Sequence, residues 1–72
     1  MKKEIGKKLK LERVRQDLTI EDVAKGLGVS KSLLSIAERG HSGFGILSKE
    51  AKFLGFDLII HQHYELKKHE DD

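Results

Sequence analysis

The sequence predicts an all-α domain of four main helices followed by one short C-terminal β-strand. Three observations point there. Four segments carry apolar residues at helical spacing. Each is bounded by capping residues or glycine. From Phe56 onward the hydrophobic period changes to two. Composition agrees with one small, highly charged domain: the chain has 72 residues, 38% hydrophobic and 36% charged, with neither Cys nor Pro. A chain this short excludes a multidomain enzyme. Lacking Cys, it also excludes a disulfide scaffold and any Cys-based metal site. Leu58-Ile59-Ile60 is the longest apolar run, far below the roughly 20 residues that a membrane-spanning helix needs. No apolar signal core follows the basic N-terminus, so an intracellular, cytoplasmic protein is expected.

The first helix is expected over about residues 2–16, with Ile5, Leu9 and Val14 inward and lysines interleaved. Asp17 can adopt the left-handed conformation that ends it. Thr19 opens the second helix, with Asp22 approximating the acid of a capping box. Val23, Ala24 and Leu27 form its apolar face, and Gly28 ends it at positive φ. Ser30 caps a third helix running from Lys31 to about Arg39, where Gly40 terminates it. Leu34 and Ala37 share one face of that helix, and Leu33 and Ile36 share another. Ser42 is the expected cap of a fourth helix from about Gly43 to Leu54. Phe44, Leu47, Ala51 and Leu54 are its core side, and Lys49, Glu50 and Lys52 are expected outside. The strand follows, with Phe56, Leu58 and Ile60 alternating with Asp57, Ile59 and His61. Residues 65–72 read as a charged tail without structure.

Charge is unevenly distributed. Residues 1–16 carry seven Lys/Arg and two Glu, residues 17–55 are balanced, and residues 56–72 carry two Lys and five Asp/Glu. A basic end on a small chain suggests an anionic partner.

Two short helices joined by Gly28-Val29-Ser30 form a helix-turn-helix. Gly28 permits the reversal, Val29 fills the angle and Ser30 caps the second helix. Ala24 is small where the helices approach. The arrangement lets the first residues of the second helix protrude toward a major groove.

With these residues in view, the chain resembles the Cro/repressor-type helix-turn-helix family, also called the Xre family. The matching residues are Ile5, Gly6, Leu9 and Arg13, then Leu18-Thr19, Val23-Ala24 and Leu27-Gly28-Val29-Ser30. Leu34, Ser35, Glu38-Arg39-Gly40, Ala51 and Leu54-Gly55 follow. The resemblance implies a lambda-repressor-like fold over residues 1–56 and double-stranded DNA as ligand. It gives Arg13 and Glu38 the part of a structural pair between the first and third helices. It puts Lys31, Ser32 and Ile36 toward the bases, and Thr19, Arg39 and the Gly40–Phe44 loop, with His41, Ser42 and Gly43, near the phosphate backbone; Ser35 is counted among the DNA-binding residues. The chain departs from the family at Ile20, where Gln is common, and in a short loop after Gly40.

No nucleophile motif or glycine-rich phosphate loop is present. No catalysis, metal or cofactor is expected, although His61 and His63 would share a strand face. The strand at residues 57–64 has no expected partner in its own chain, so pairing with a second copy through Phe56, Leu58, Ile59 and Ile60 is the expected dimer. Some antitoxins of this type dimerise in that way. The expected function is a homodimeric transcriptional repressor. Two alternatives stand beside it: an antitoxin-type regulator that also binds a toxin, and an antirepressor-like interaction module that has lost DNA binding.

Overall fold

The computed structural model describes residues 1–70. Four helices precede a β-hairpin: α1 (Lys2–Arg15), α2 (Ile20–Leu27), α3 (Lys31–Glu38), α4 (Phe44–Phe53), β1 (Phe56–Ile60) and β2 (Tyr64–Lys68). The helix ends follow from local chemistry. Asp17 at φ 59° and Gly28 at φ 70° stand just beyond α1 and α2. In each case the next amide reaches back to a helix carbonyl, Leu18 N to Arg13 O and Val29 N to Ala24 O, both at 3.0 Å. Left-handed residues turn the chain so that these otherwise orphaned carbonyls are satisfied. At the entry to α2, Thr19 Oγ1 accepts from Asp22 N and Asp22 Oδ2 accepts from Thr19 N, a complete capping box. Ser30 Oγ accepts from Leu33 N at the entry to α3.

One core joins all four helices: Ile5 and Leu9, Val23 and Ala24, Leu34 and Ala37, and Leu47, Ala51 and Leu54. Two glycines permit a close approach of α3 to α1. A Cβ on Gly6 would collide with the Glu38 carbonyl, and one on Gly40 would sit 2.6 Å from Lys3 Cα. The last turn of α3 therefore lies directly on the first turns of α1.

Four expectations are corrected. Val14 is 56% exposed, and Arg13 takes the inward position after Leu9. Glu50, expected in solvent, is fully buried. Gly43 rather than Ser42 is the N-cap of α4, with no side-chain bond to the helix. The largest correction concerns the C-terminus. β1 does have a partner in its own chain: it pairs antiparallel with β2, Leu58 opposite Leu66 and Ile60 opposite Tyr64. The expected tail from residue 65 is thus a strand as far as Lys68. Its signal is the alternation of Tyr64 and Leu66 with Glu65 and Lys67. Tyr64 and Leu66 join Phe56 and Leu58 against the helical core, so the sheet turns that face inward and carries Asp57, Glu65 and Lys67 on the other, while Lys68 stands opposite Phe56 at the hairpin's open end. Residues 71 and 72 of the expected tail lie outside the described residues.

Candidate nucleic-acid interface

The exposed side of α3 is set by which of its residues the core takes. Leu34, Ala37 and Glu38 point inward. Lys31, Ser32, Leu33, Ile36 and Arg39 remain exposed and Ser35 half-exposed. Lys31, Ser32, Ser35, Ile36 and Arg39 together line one shallow depression on that side. Leu33 and Ile36 are each 37% exposed, so the surface offers methyl groups beside cationic and hydroxyl donors. Lys31 Nζ lies 3.2 Å from Glu21 Oε1 across the turn, with both side chains well exposed. In water such a pair contributes little, and it leaves Lys31 free to exchange partners.

A second cleft lies between the end of α1 and the entry to α2. Thr19, Ser35 and Arg39 line it together with Lys10, Arg13 and Leu18. The hydroxyl oxygen of Thr19 is engaged in the helix cap, but its proton is available to an acceptor outside. Arg39 belongs to both concavities. His41 and Gly43 are exposed and Ser42 half-buried in the α3–α4 loop. The four candidate dimer residues do not make one patch: Phe56 and Leu58 pack against the helices, whereas Ile59 and Ile60 are 38% and 41% exposed.

Beneath the α3 surface is a buried charged cluster. Arg13 Nε donates to Glu38 Oε2 at 2.9 Å and Arg13 Nη2 to Glu38 Oε1 at 3.1 Å. Its Nη1 donates to Leu18 O at 2.9 Å. The bidentate fork fixes both orientation and register, tying α1 and the α1–α2 turn to the end of α3. Hydrogen bonding to Glu38 holds the Arg13 pKa above its ordinary value, against the effect of burial. Burial by itself would raise the Glu38 carboxyl, but hydrogen bonds from Glu50 and Arg13, with the Arg13 charge, outweigh it and hold the pKa low.

Glu50 completes the cluster from α4. It is wholly buried, and neither of its oxygens meets a donor from another residue. An ionised carboxylate in that position would be very costly. Desolvation, reinforced by the hydrogen bond to Glu38 and the Glu38 charge and opposed by Arg13, pushes its pKa up to about 9. At neutral pH Glu50 is therefore an uncharged acid, and its O–H donates toward Glu38. Sequence reasoning missed this residue because it is charged.

A family model described as helix-turn-helix matches residues 9–59. The chain belongs to this Cro/Xre-type helix-turn-helix family. It is accordingly a DNA-binding transcription regulator, and α2, the Gly28–Ser30 turn and α3 are its helix-turn-helix. No curated protein and no solved structure gives a significant match to the chain. The matched residues run from the middle of α1 into β1, so Lys3, Lys7 and the whole of β2 lie outside them. No helix among the described residues is long and apolar enough to cross a membrane.

Proposed function

We propose that this helix-turn-helix protein is a sequence-specific repressor that binds double-stranded DNA in the cytoplasm as a homodimer, with α3 in the major groove. The observation that carries the reading is the exposed face of α3, braced from below by the Arg13–Glu38 fork. Ser30 starts the helix, so Lys31 and Ser32 occupy its first turn, the part that enters the groove in such motifs. Lys31 donates to guanine O6 and N7, and Ser32 donates or accepts. Ile36, one turn further on, offers only apolar contact, which suits a thymine methyl. Ser35 lies between them. Thr19, Arg39, His41, Ser42 and Gly43 serve the phosphates in this reading. The reading involves no catalytic step and no cofactor.

Dimerisation belongs to the same proposal, on different grounds from those the sequence suggested. Because β1 is already paired with β2, no strand is left needing a second chain. What supports a dimer now is the exposure of Ile59 and Ile60 beside the outer edge of the hairpin, since an unpaired edge is a template for another strand. Ile59→Asp should give monomers in sedimentation while leaving the fold intact.

Selection of duplexes from a random pool tests the DNA reading. The wild type should recover one motif. Lys31→Ala should relax preference at one guanine by roughly 1–3 kcal/mol, and Ile36→Ala should relax a nearby A·T pair by less. Arg39→Ala should weaken all sequences about equally, because a phosphate contact carries no base identity. Exposed Leu33 and Ile36 also favour one competing reading, a surface for a protein partner such as a toxin or another regulator. Recovery of no DNA, together with a partner whose binding Leu33→Ala and Ile36→Ala abolish, would establish that reading instead.

A further inference from the structure

We propose that Lys3 and Lys7 of α1, with Arg39 and His41, form a second phosphate-binding track that carries the DNA duplex beyond α3 and onto the first helix. The inference rests on the DNA-binding reading above and extends its footprint. Its basis is a cleft of about 310 Å³ between α1 and the end of α3, lined by Lys3, Lys7, Lys10, Glu38, Arg39 and His41.

The cleft is a product of close packing. Gly6 and Gly40 admit the last turn of α3 against the start of α1, and this brings a row of lysines alongside Arg39. Lys3, Lys7 and Lys10 follow the i, i+4, i+7 pattern that keeps residues on one face, about 5.4 Å apart per turn. Among the described residues, none of these lysines and not Arg39 takes part in an ion pair. The one acid that lines the cleft, Glu38, already has both oxygens occupied by Arg13. The cleft is therefore cationic with no internal counter-charge to spare.

Its position determines what fills it. Arg39 lines this cleft, the depression on α3 and the cleft at the entry to α2. A polyanion lying on α3 passes Arg39 and meets Lys7 and Lys3 next. A row of point charges on flexible stems reads a repeating anion without reading sequence. Lys3 and Lys7 precede the residues matched by the family model, whereas Arg39 and His41 lie within them, so the track runs from the shared motif onto the start of the first helix.

The test compares wild type, Lys3→Gln/Lys7→Gln, Arg39→Gln and, as control, Lys49→Gln/Lys52→Gln on α4. Each is titrated with a duplex recovered by the selection above, at 50 and 200 mM salt. Lys10 is left intact because its charge also acts on Glu38. Lys3 and Lys7 are exposed and Gln keeps helix propensity, so melting should be unchanged. Each lost phosphate contact lowers the log–log salt slope by about 0.9. Between those salt concentrations the wild type should therefore lose about tenfold more affinity than the Lys3/Lys7 variant, and the motif recovered from a random pool should stay the same. A wild-type slope in that variant alongside a reduced slope in Arg39→Gln overturns the track and leaves the α3 reading standing. An equal reduction in the α4 control, or an altered motif with Lys3 and Lys7 replaced, also overturns it. Wild-type slopes in both the Lys3/Lys7 and Arg39 variants would overturn both the track and the assignment of Arg39 to the phosphates, whereas recovery of no duplex in the selection would overturn the DNA-binding reading itself.

Discussion

Replacing Glu50 by Gln should remove most of the alkaline sensitivity of this domain. The folded chain holds a proton on Glu50 up to about pH 9, whereas an unburied glutamate releases it near 4.5. Between these values the folded state binds more protons than the unfolded state. Unfolding then releases a proton, and stability falls as pH rises. The contribution is complete below about pH 4.5 and is lost progressively up to about pH 9. The limiting slope is about 1.4 kcal/mol per pH unit, so the loss from pH 5 to pH 8 approaches about 4 kcal/mol for this one side chain. A domain of this size has a total stability of roughly 4–11 kcal/mol, so the effect reaches a large fraction of it.

Gln at position 50 matches Glu in shape, donates to Glu38 through its amide and cannot ionise. Urea unfolding at pH 5, 6, 7 and 8 measures both proteins. Titrations elsewhere cancel in the difference between them, because distant sites add independently. The variant should be equal to or slightly weaker than wild type at pH 5, where one amide group remains buried without a partner. It should be the more stable protein at pH 8. A wild-type-minus-variant difference that stays flat across this range would refute the reasoning, since it would mean that Glu50 ionises as easily in the folded chain as in the unfolded one.

Three further outcomes follow from the same cluster and its surroundings. Glu38→Ala strips a buried guanidinium of its counter-charge and should cost about 3 kcal/mol; a double-mutant cycle with Arg13→Ala should show strong coupling by urea unfolding. Gly40→Ala combines a Cβ pressed on Lys3 with a φ of +84° and should cost about 2 kcal/mol, whereas Gly45→Ala, whose Cβ would meet nothing within 4 Å, should gain about 0.5 kcal/mol; thermal melts distinguish the two. Thr19→Ala removes half of the capping box and should cost about 1 kcal/mol, read as a lower urea midpoint.

The helix-turn-helix was legible because local rules and tertiary need coincide there. Thr19, Asp22, Gly28 and Ser30 act on atoms only a few residues away, and a cap or a left-handed turn requires no knowledge of the rest of the fold. Leu34 and Ala37 needed only helical spacing. The hairpin was half legible for the opposite reason. Phe56–Ile60 has a dense apolar alternation, but Tyr64–Lys68 carries only two apolar residues among three charged ones. Charge suggested a tail, while the pairing that makes β2 a strand is supplied by β1 across a three-residue connection. The groups that line the α3 surface were also readable one by one. Their continuity with α1 was not, because it depends on how closely Gly6 and Gly40 let two helices approach.

The buried cluster shows where residue type misled and position did not. Arg13 continues the stripe begun by Ile5 and Leu9, four residues further on. Glu38 stands four residues after Leu34. Glu50 falls between Leu47 and Leu54 at the i+3 place of the stripe, beside Ala51. On all three helices a charged residue occupies a position that helical periodicity assigns to the core. Since the stripes of α1, α3 and α4 face one another, these residues had to meet, and two acids beside one arginine cannot both ionise without an unpaired buried charge. One carboxyl therefore pairs with the arginine and the other keeps its proton. The partition follows from access to donors: Glu38 receives both arms of Arg13, while Glu50 receives none. The joint beneath the α3 surface is thus held by a directional fork beside a buried acid that keeps its own proton.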